Sequence, residues 1–340
     1  MENQLTPQPK KKKWIWLWIF TLILAGFFGL FFLKTSFTVS QIKDWQSDAR
    51  VLPFSEPLPQ KDPDRINILL LGIRGTGEEN TGDLLTDTVV LVSIKKSAGQ
   101  LALISVPRDL YIPAPGLGKK EKINFAYAYG GLDFAKKVIS YTTNVYIDHA
   151  LVGNFNAFQE VIEALGGVNV YLEYPFEETF QWAQEGREEN RYWFKKEIGG
   201  EEKWVFHLPA GQNFLDGQTA LYYVRSRFST SDFDRMRRQQ QVLMAVKDKA
   251  LSLGVLANPF KIYELLDILG KNIKTDMNLK DIKNLINLVF ESDTEHIRTK
   301  VFDTTPEGLL YQTFIDGQYV LLPIGDDYNK IQEAVKKIFD

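Results

Sequence analysis

Arg65-Ile66-Asn67-Ile68-Leu69-Leu70-Leu71-Gly72-Ile73 is the run from which the fold is read. Ile66 to Ile73 is almost continuously apolar and rich in β-branched side chains, the pattern of a strand buried on both faces rather than one alternating between core and water. A second strand is expected over Asp87–Ile94 and a third over Leu101–Val106, joined by a tight turn at Lys95–Gln100. An antiparallel hairpin with that turn brings Asp87 back beside Arg108 and Asp109, so charge gathers where the strands run out. Strand ends are where α/β sheets hold reactive groups, because the strand fixes the backbone while the side chain stays at the edge.

Further along the chain, Pro113, Pro115, Gly116 and Gly118 mark a loop, followed by a short helix around Asn124–Tyr129 and a helix over Leu132–Tyr141. Val145–Val152 is strand-like. Asn154 is placed to cap a helix over Phe155–Leu165, which Gly166-Gly167 stops before a strand at Val168–Leu172. Strands alternating with helices at this rhythm predict an α/β sandwich. Phe176–Phe206 is expected to be a hairpin-bearing excursion. A short helix lies near Thr219, further helices at 257–269, 279–290 and 327–339, and a strand at Tyr319–Leu322.

Toward the N-terminus the chain changes character. Met1–Pro9 is polar, Lys10–Lys13 is a block of four positive charges, and Trp14–Leu33 carries no charge. Twenty helical residues span ~30 Å, the hydrocarbon thickness of a bilayer. Trp14, Trp16 and Trp18 crowd the basic end, where indoles favour the interface. The expectation is a cytoplasmic tail at 1–13, a transmembrane helix anchoring the chain in the lipid bilayer at 14–33, an extracytoplasmic linker at 34–64 and an extracytoplasmic globular part at 65–340. The lysines ahead of the helix, against Lys34 alone directly after it, set that orientation. Lys34-Thr35-Ser36-Phe37-Thr38 offers no small-residue pattern for signal-peptide cleavage.

The 340 residues are 44% hydrophobic with a formal net charge of −3. That is too apolar for disorder, and an acidic balance argues against a nucleic-acid partner, since a phosphate backbone rewards a basic face. The chain has no cysteine, which excludes disulfides, thiolate nucleophiles and Cys-ligated zinc. His149, His207 and His296 are scattered without ligand spacing.

Against that balance, residues 224–241 hold five arginines, at 225, 227, 235, 237 and 238. Ser231 or Asp232 is a reasonable N-cap, and Arg235, Arg238, Gln239, Val242 and Val246 fall along one stripe of the helix that follows. Arg225 and Arg227, two apart in an extended backbone, share a face. Two readings stand at this point. Guanidinium groups and a helix start can surround a di- or polyphosphate, or Asp232 and Asp234 can neutralise their neighbours in a salt-bridged loop. Asp87 has the same ambiguity: it is a candidate ligand for Mg²⁺ (or Mn²⁺), or simply the partner of Arg108.

Asn67-Ile68-Leu69-Leu70-Leu71-Gly72, Thr86-Asp87-Thr88, Ser105-Val106-Pro107-Arg108-Asp109, Lys122-Ile123-Asn124-Phe125-Ala126-Tyr127, Leu215-Asp216-Gly217 and Arg225-Ser226-Arg227 through Asp234-Arg235 to Arg238-Gln239-Gln240 together resemble the LytR-CpsA-Psr family, in its order, over roughly residues 65–250. The resemblance implies an α/β domain with a central mixed β-sheet flanked by helices on both faces. It also implies a membrane-anchored phosphotransferase acting outside the cell, which moves a glycopolymer from a polyprenyl-pyrophosphate-linked donor onto a hydroxyl of peptidoglycan or another acceptor. On that resemblance Arg108, Arg225, Arg227 and Arg235 bind the pyrophosphate, joined by Arg238 and Gln239, and Asp87 holds Mg²⁺. The polyprenyl tail lies in an apolar groove. Asp109 is either a base for the acceptor hydroxyl or a structural partner of Arg108. One departure stands out: Arg74 occupies a position where the family often has an acid near the metal, leaving Glu78, Glu79 or Asp83 to replace it. A non-catalytic anchored receptor for anionic glycopolymer or lipid pyrophosphate is the alternative that the same arginines allow.

Overall fold

The structure, a computed structural model, describes residues 54–75, 82–115, 117–182, 184, 188–251 and 272–340. The expected tail, membrane helix and first part of the linker, the loop acids Glu78 and Glu79, and the helix at 257–269 lie outside the described residues. Among the described residues no helix is long and apolar enough to cross a membrane.

The strands are β1 (Arg65–Ile73), β2 (Thr86–Lys95), β3 (Gln100–Ser105), β4 (Tyr111–Ala114), β5 (Lys119–Lys122), β6 (His149–Gly153), β7 (Val168–Leu172), β8 (Phe176–Glu178), β9 (Trp193–Ile198), β10 (Glu201–Leu208), β11 (Gly211–Leu215), β12 (Ile273–Thr275), β13 (Asp293–Val301), β14 (Leu310–Ile315) and β15 (Gln318–Pro323). The helices are α1 (Phe125–Thr143), α2 (Phe155–Ala164), α3 (Gly217–Arg225), α4 (Asp232–Leu251), α5 (Leu279–Glu291) and α6 (Asn329–Lys336).

The central sheet runs β12-β6-β1-β2-β3-β13. β1, β2 and β3 are antiparallel neighbours, whereas β6 lies parallel to β1 and β13 parallel to β3, so the sheet is mixed. The β2–β3 register pairs Val90 with Ser105. Followed three positions further, it sets Asp87 against Arg108, as the turn length predicts.

Strand alternation divides β1 between two environments. Leu69, Leu71 and Ile73 join Val89 and Leu91 of β2 in a core that includes Phe134, Val138 and Ile139 of α1 and Ile331 and Val335 of α6. The intervening positions face α2, α3 and α4 on the other side. On that side α4 is fixed to one flank of the sheet. The buried amide of Gln240 donates to Leu103 O (3.3 Å), Ser105 Oγ (2.8 Å) and Lys300 O (3.0 Å), tying the helix to β3 and β13. α2 starts over the other flank, capped where Asn154 accepts from Ala157 N at 2.8 Å.

Several expectations need correction. The two helices expected at 124–129 and 132–141 are one element, α1, bent at Gly130-Gly131, where Gly131 has φ of 64°. The proline- and glycine-bearing loop after Arg108 contains the β4–β5 hairpin. Val168–Leu172 is a strand but pairs with β11 outside the central sheet. One edge of the central sheet is β13, which the sequence reading passed over. Phe176–Phe206 does form paired strands, in the order β8-β10-β9.

Candidate active site

Topology brings four chain segments to one edge of the sheet. β1, β3 and β6 end there and β2 begins there, so Arg74, Arg108, Asn154 and Asp87 lie at the same rim. Beneath it is a cavity of about 300 Å³. Leu70 and Leu151 line it from the strands, Phe155, Phe158 and Val161 from α2, Leu221 and Val224 from α3, and Leu243 and Val246 from α4. Leu70 precedes Arg74 by four residues along β1, roughly 13 Å of strand at about 3.3 Å per residue. The charged rim and the apolar wall are therefore separated along the strand direction. Gly72, also in the lining, faces Thr88 across the strand pair, and a Cβ there would lie 2.9 Å from the Thr88 Cβ.

Five arginines line this cavity: Arg74, Arg108, Arg225, Arg227 and Arg235. Arg225 is the last residue of α3, not part of an extended run as the sequence suggested. α3 is seated closely enough on α2 that a Cβ on Gly217 would come within 2.5 Å of Gln159 O. The Arg225 guanidinium lies 4.3 Å from the Phe155 ring centroid and 5.3 Å from that of Trp182, within cation–π reach of both rings. Burial, with Arg74 nearby, pulls its pKa down. Arg235, buried on the first turn of α4, is gripped by both oxygens of Asp232 at 2.8 and 3.0 Å. Burial pushes its pKa down to about 10 against the pull of Asp232, so it stays cationic at neutral pH. Ser231 caps α4: its hydroxyl accepts from Asp234 N at 3.1 Å.

Arg108 bonds Asp87, lies 3.5 Å from Asp109 and 4.0 Å from Asp232, and has its pKa raised because these three carboxylates outweigh its burial. The Nε atoms of Arg108 and Arg235 and Oε1 of Gln239 are buried without a hydrogen-bond partner. The two unmet Nε donors and the unmet Oε1 acceptor call for a ligand or water. Among the described residues neither Arg74 nor Arg227 has an ion-pair partner, while Asp87 is the only carboxylate in the lining. The rim thus has excess positive charge, reinforced by the N-terminus of α2.

Two expected site residues fall outside the lining. Arg238 points its donors at the chain itself: Nε to Tyr223 O at 3.0 Å, Nη1 to Thr230 Oγ1 at 3.1 Å, and Nη2 to Ser226 O. It fastens the end of α3 to α4 and holds the loop that carries Arg227. Asp109 is taken by Lys122 at 2.8 Å as well as by Arg108. Gln239 does line the cavity, with Nε2 3.4 Å from Val224 O. Arg237, the fifth arginine of the stretch, pairs with Asp234 and Asp303 and does not line the cavity. Both readings of that stretch are therefore realised, by different residues.

Sequence reasoning missed Gln181 and Glu178. Gln181 lines the cavity, accepts from Arg227 N at 2.7 Å and donates to Arg225 O at 2.8 Å, bracing the two arginines from the excursion. No spacing rule exposes this, because the partners are 44 and 46 residues apart.

For a divalent cation the donor set is thin. Among the described residues no three His, Cys, Asp or Glu side chains cluster as ligands, and Arg108 already takes one oxygen of Asp87. Mg²⁺ needs only one or two carboxylates when phosphate oxygens and water complete its shell. The residues fit an ion that arrives together with a diphosphate.

The site and fold define a class: an α/β protein whose sheet edge sets an anion-binding rim over an apolar cavity. The LytR_cpsA_psr family model matches residues 30–337, and the chain belongs to that family. It is 31% identical over 276 residues to polyisoprenyl-teichoic acid–peptidoglycan teichoic acid transferase TagT of Bacillus subtilis (strain 168), covering 80% of this chain and 78% of that one. It is 30% identical over 284 residues to the TagU transferase of Oceanobacillus iheyensis, covering 81% and 76%. Among solved structures, TagT bound to LI-WTA superposes with a TM-score of 0.58 at 25% identity, covering 86% of this chain and 96% of that one.

Proposed function

We propose that this chain transfers a glycopolymer, as its sugar phosphate, from a polyprenyl diphosphate carrier to a hydroxyl of peptidoglycan, outside the cell and anchored through residues 14–33. The observation that carries this reading is the pairing of an apolar cavity with five arginines at one rim, a shape matched to a molecule that is lipid at one end and dianionic at its middle. The relatives named as teichoic acid transferases support the donor and acceptor classes.

In this mechanism the polyprenyl tail lies among Leu70, Val161 and Leu243, and the diphosphate meets Arg108, Arg225, Arg227 and Arg235. The acceptor hydroxyl oxygen bonds to the phosphorus that bears the sugar. The bond from that phosphorus to the bridging oxygen breaks, polyprenyl phosphate leaves with the electron pair, and the hydroxyl proton passes to water. Negative charge grows on the leaving phosphate, and the guanidinium groups of Arg235, held by Asp232, and Arg225, held against Phe155, stabilise it without reorganising. Asp87 is the residue that would hold Mg²⁺ or Mn²⁺ on the bound diphosphate, where the ion would neutralise phosphate charge.

The test is transfer by the full chain in liposomes carrying a polyprenyl-diphosphate-linked glycan, with peptidoglycan as acceptor. Arg227→Ala is expected to lower transfer about 10²–10³-fold, the effect of removing one preorganised donor, with the melting temperature nearly unchanged. Unaltered transfer removes Arg227 from the site, and donor binding without product in the wild type favours a receptor.

A further inference from the structure

Beside the rim, Phe180 is 57% exposed and Phe228 60% exposed. What sets these two apart is that one side chain holds both backbones. Glu178, at 1% exposure, accepts from Phe180 N with Oε1 (3.3 Å) and from Phe228 N with Oε2 (2.9 Å). The same carboxylate takes Ser229 N at 3.1 Å and Ser229 Oγ at 3.0 Å. One buried anion therefore pins both amides, which brings the two residues side by side although 48 positions separate them in sequence. Burying a carboxylate is costly unless donors surround it, so the fold commits a fully bonded carboxylate to fixing the backbone from which both exposed rings project.

The pair adjoins the site. Gln181 follows Phe180 and Arg227 precedes Phe228, and both line the cavity. The Arg227 guanidinium lies 5.9 Å from the Phe228 ring centroid. Lys203 lies 5.6 Å from that of Phe180.

We propose that Phe180 and Phe228 form a carbohydrate subsite, on which the pyranose ring joined directly to the donor's diphosphate stacks by its C–H face. The assignment rests on the proposed function, which puts that diphosphate at Arg227 and hence its first sugar one bond beyond. Apolar C–H faces of a sugar suit aromatic rings that are exposed yet fixed, whereas the diphosphate and tail already have the arginines and the cavity. Glu178 is the positioning residue of this subsite.

Two probes decide it, bound to the detergent-solubilised full chain without peptidoglycan: bare polyprenyl diphosphate, and the same lipid carrying one N-acetylhexosamine. The Phe180→Ala/Phe228→Ala double variant is expected to raise Kd for the glycosylated probe about tenfold, equivalent to about 1.4 kcal/mol. Its Kd for the bare lipid stays unchanged, and Phe180→Tyr/Phe228→Tyr restores wild-type binding. Equal effects on both probes, or none, overturn the subsite. Weakened binding of a soluble peptidoglycan fragment without weakened donor binding overturns the donor assignment. If the wild type binds neither probe, the transferase reading falls with it, whereas tight binding of bare lipid with no sugar discrimination overturns the subsite alone. Both rings face solvent, so the melting temperature should not move.

Discussion

One face of the central sheet is closed and the other is hollow. On the first, Leu69 and Leu91 are fully buried beneath α1 and α6. On the second, Leu70, Thr88 and Leu151 line a cavity under α2, α3 and α4. Leu69 and Leu70 are neighbours on β1, and composition does not distinguish them. What differs is where the covering helices are fastened. Gln240 fixes α4 over β3 and β13, and α2 sits by β6, so the middle strands are roofed at a distance. The cavity is a consequence of helix placement, and the arginines collect where the strand ends meet its rim.

That contrast is broken most sharply by neighbouring substitutions. Leu69→Ala, on the closed face, is expected to cost about 2–5 kcal/mol of stability as a cavity-forming truncation, measured by denaturant unfolding, while KM for the donor stays unchanged. Leu70→Trp, on the hollow face, should change stability by about 1 kcal/mol or less, because it fills space rather than leaving it. Its KM for the polyprenyl donor should rise about tenfold, equivalent to about 1.4 kcal/mol of lost binding. Similar outcomes for both residues would mean that the two faces are not functionally distinct.

A smaller effect concerns the rim. Arg74 places positive charge where a second carboxylate would strengthen a cation site. Chelation by EDTA is expected to lower transfer and added Mg²⁺ to restore it, and Arg74→Asp should reduce the Mg²⁺ concentration giving half-maximal rate several-fold, in line with one added opposite charge. An unchanged Mg²⁺ requirement in Arg74→Asp would show that residue 74 does not feel the ion.

Much of this was legible in the sequence. The apolar runs and the short turn at Lys95–Gln100 were enough to place Asp87 against Arg108, because hairpin register follows from local spacing. The Asn154 cap and the arginine-rich start of α4 were legible for the same reason. Arg238 was not, since its stripe position matched Arg235 and only the fold shows its donors meeting the carbonyls of Tyr223 and Ser226. Arg225 was placed in an extended run because nothing local marks where α3 ends. Gln181, Glu178 and Gln240 act across long separations, where periodicity carries no information, and the pairing of Val168–Leu172 with β11 rather than the central sheet is of the same kind.

A crystal structure of the protein with a short-chain polyprenyl diphosphate tests the central claim most directly. The account predicts the isoprenoid chain between Leu70, Val161 and Leu243, with both phosphates within hydrogen-bonding distance of Arg108, Arg227 or Arg235. A lipid bound elsewhere, or phosphates turned away from those guanidinium groups while the tail fills the cavity, would contradict it.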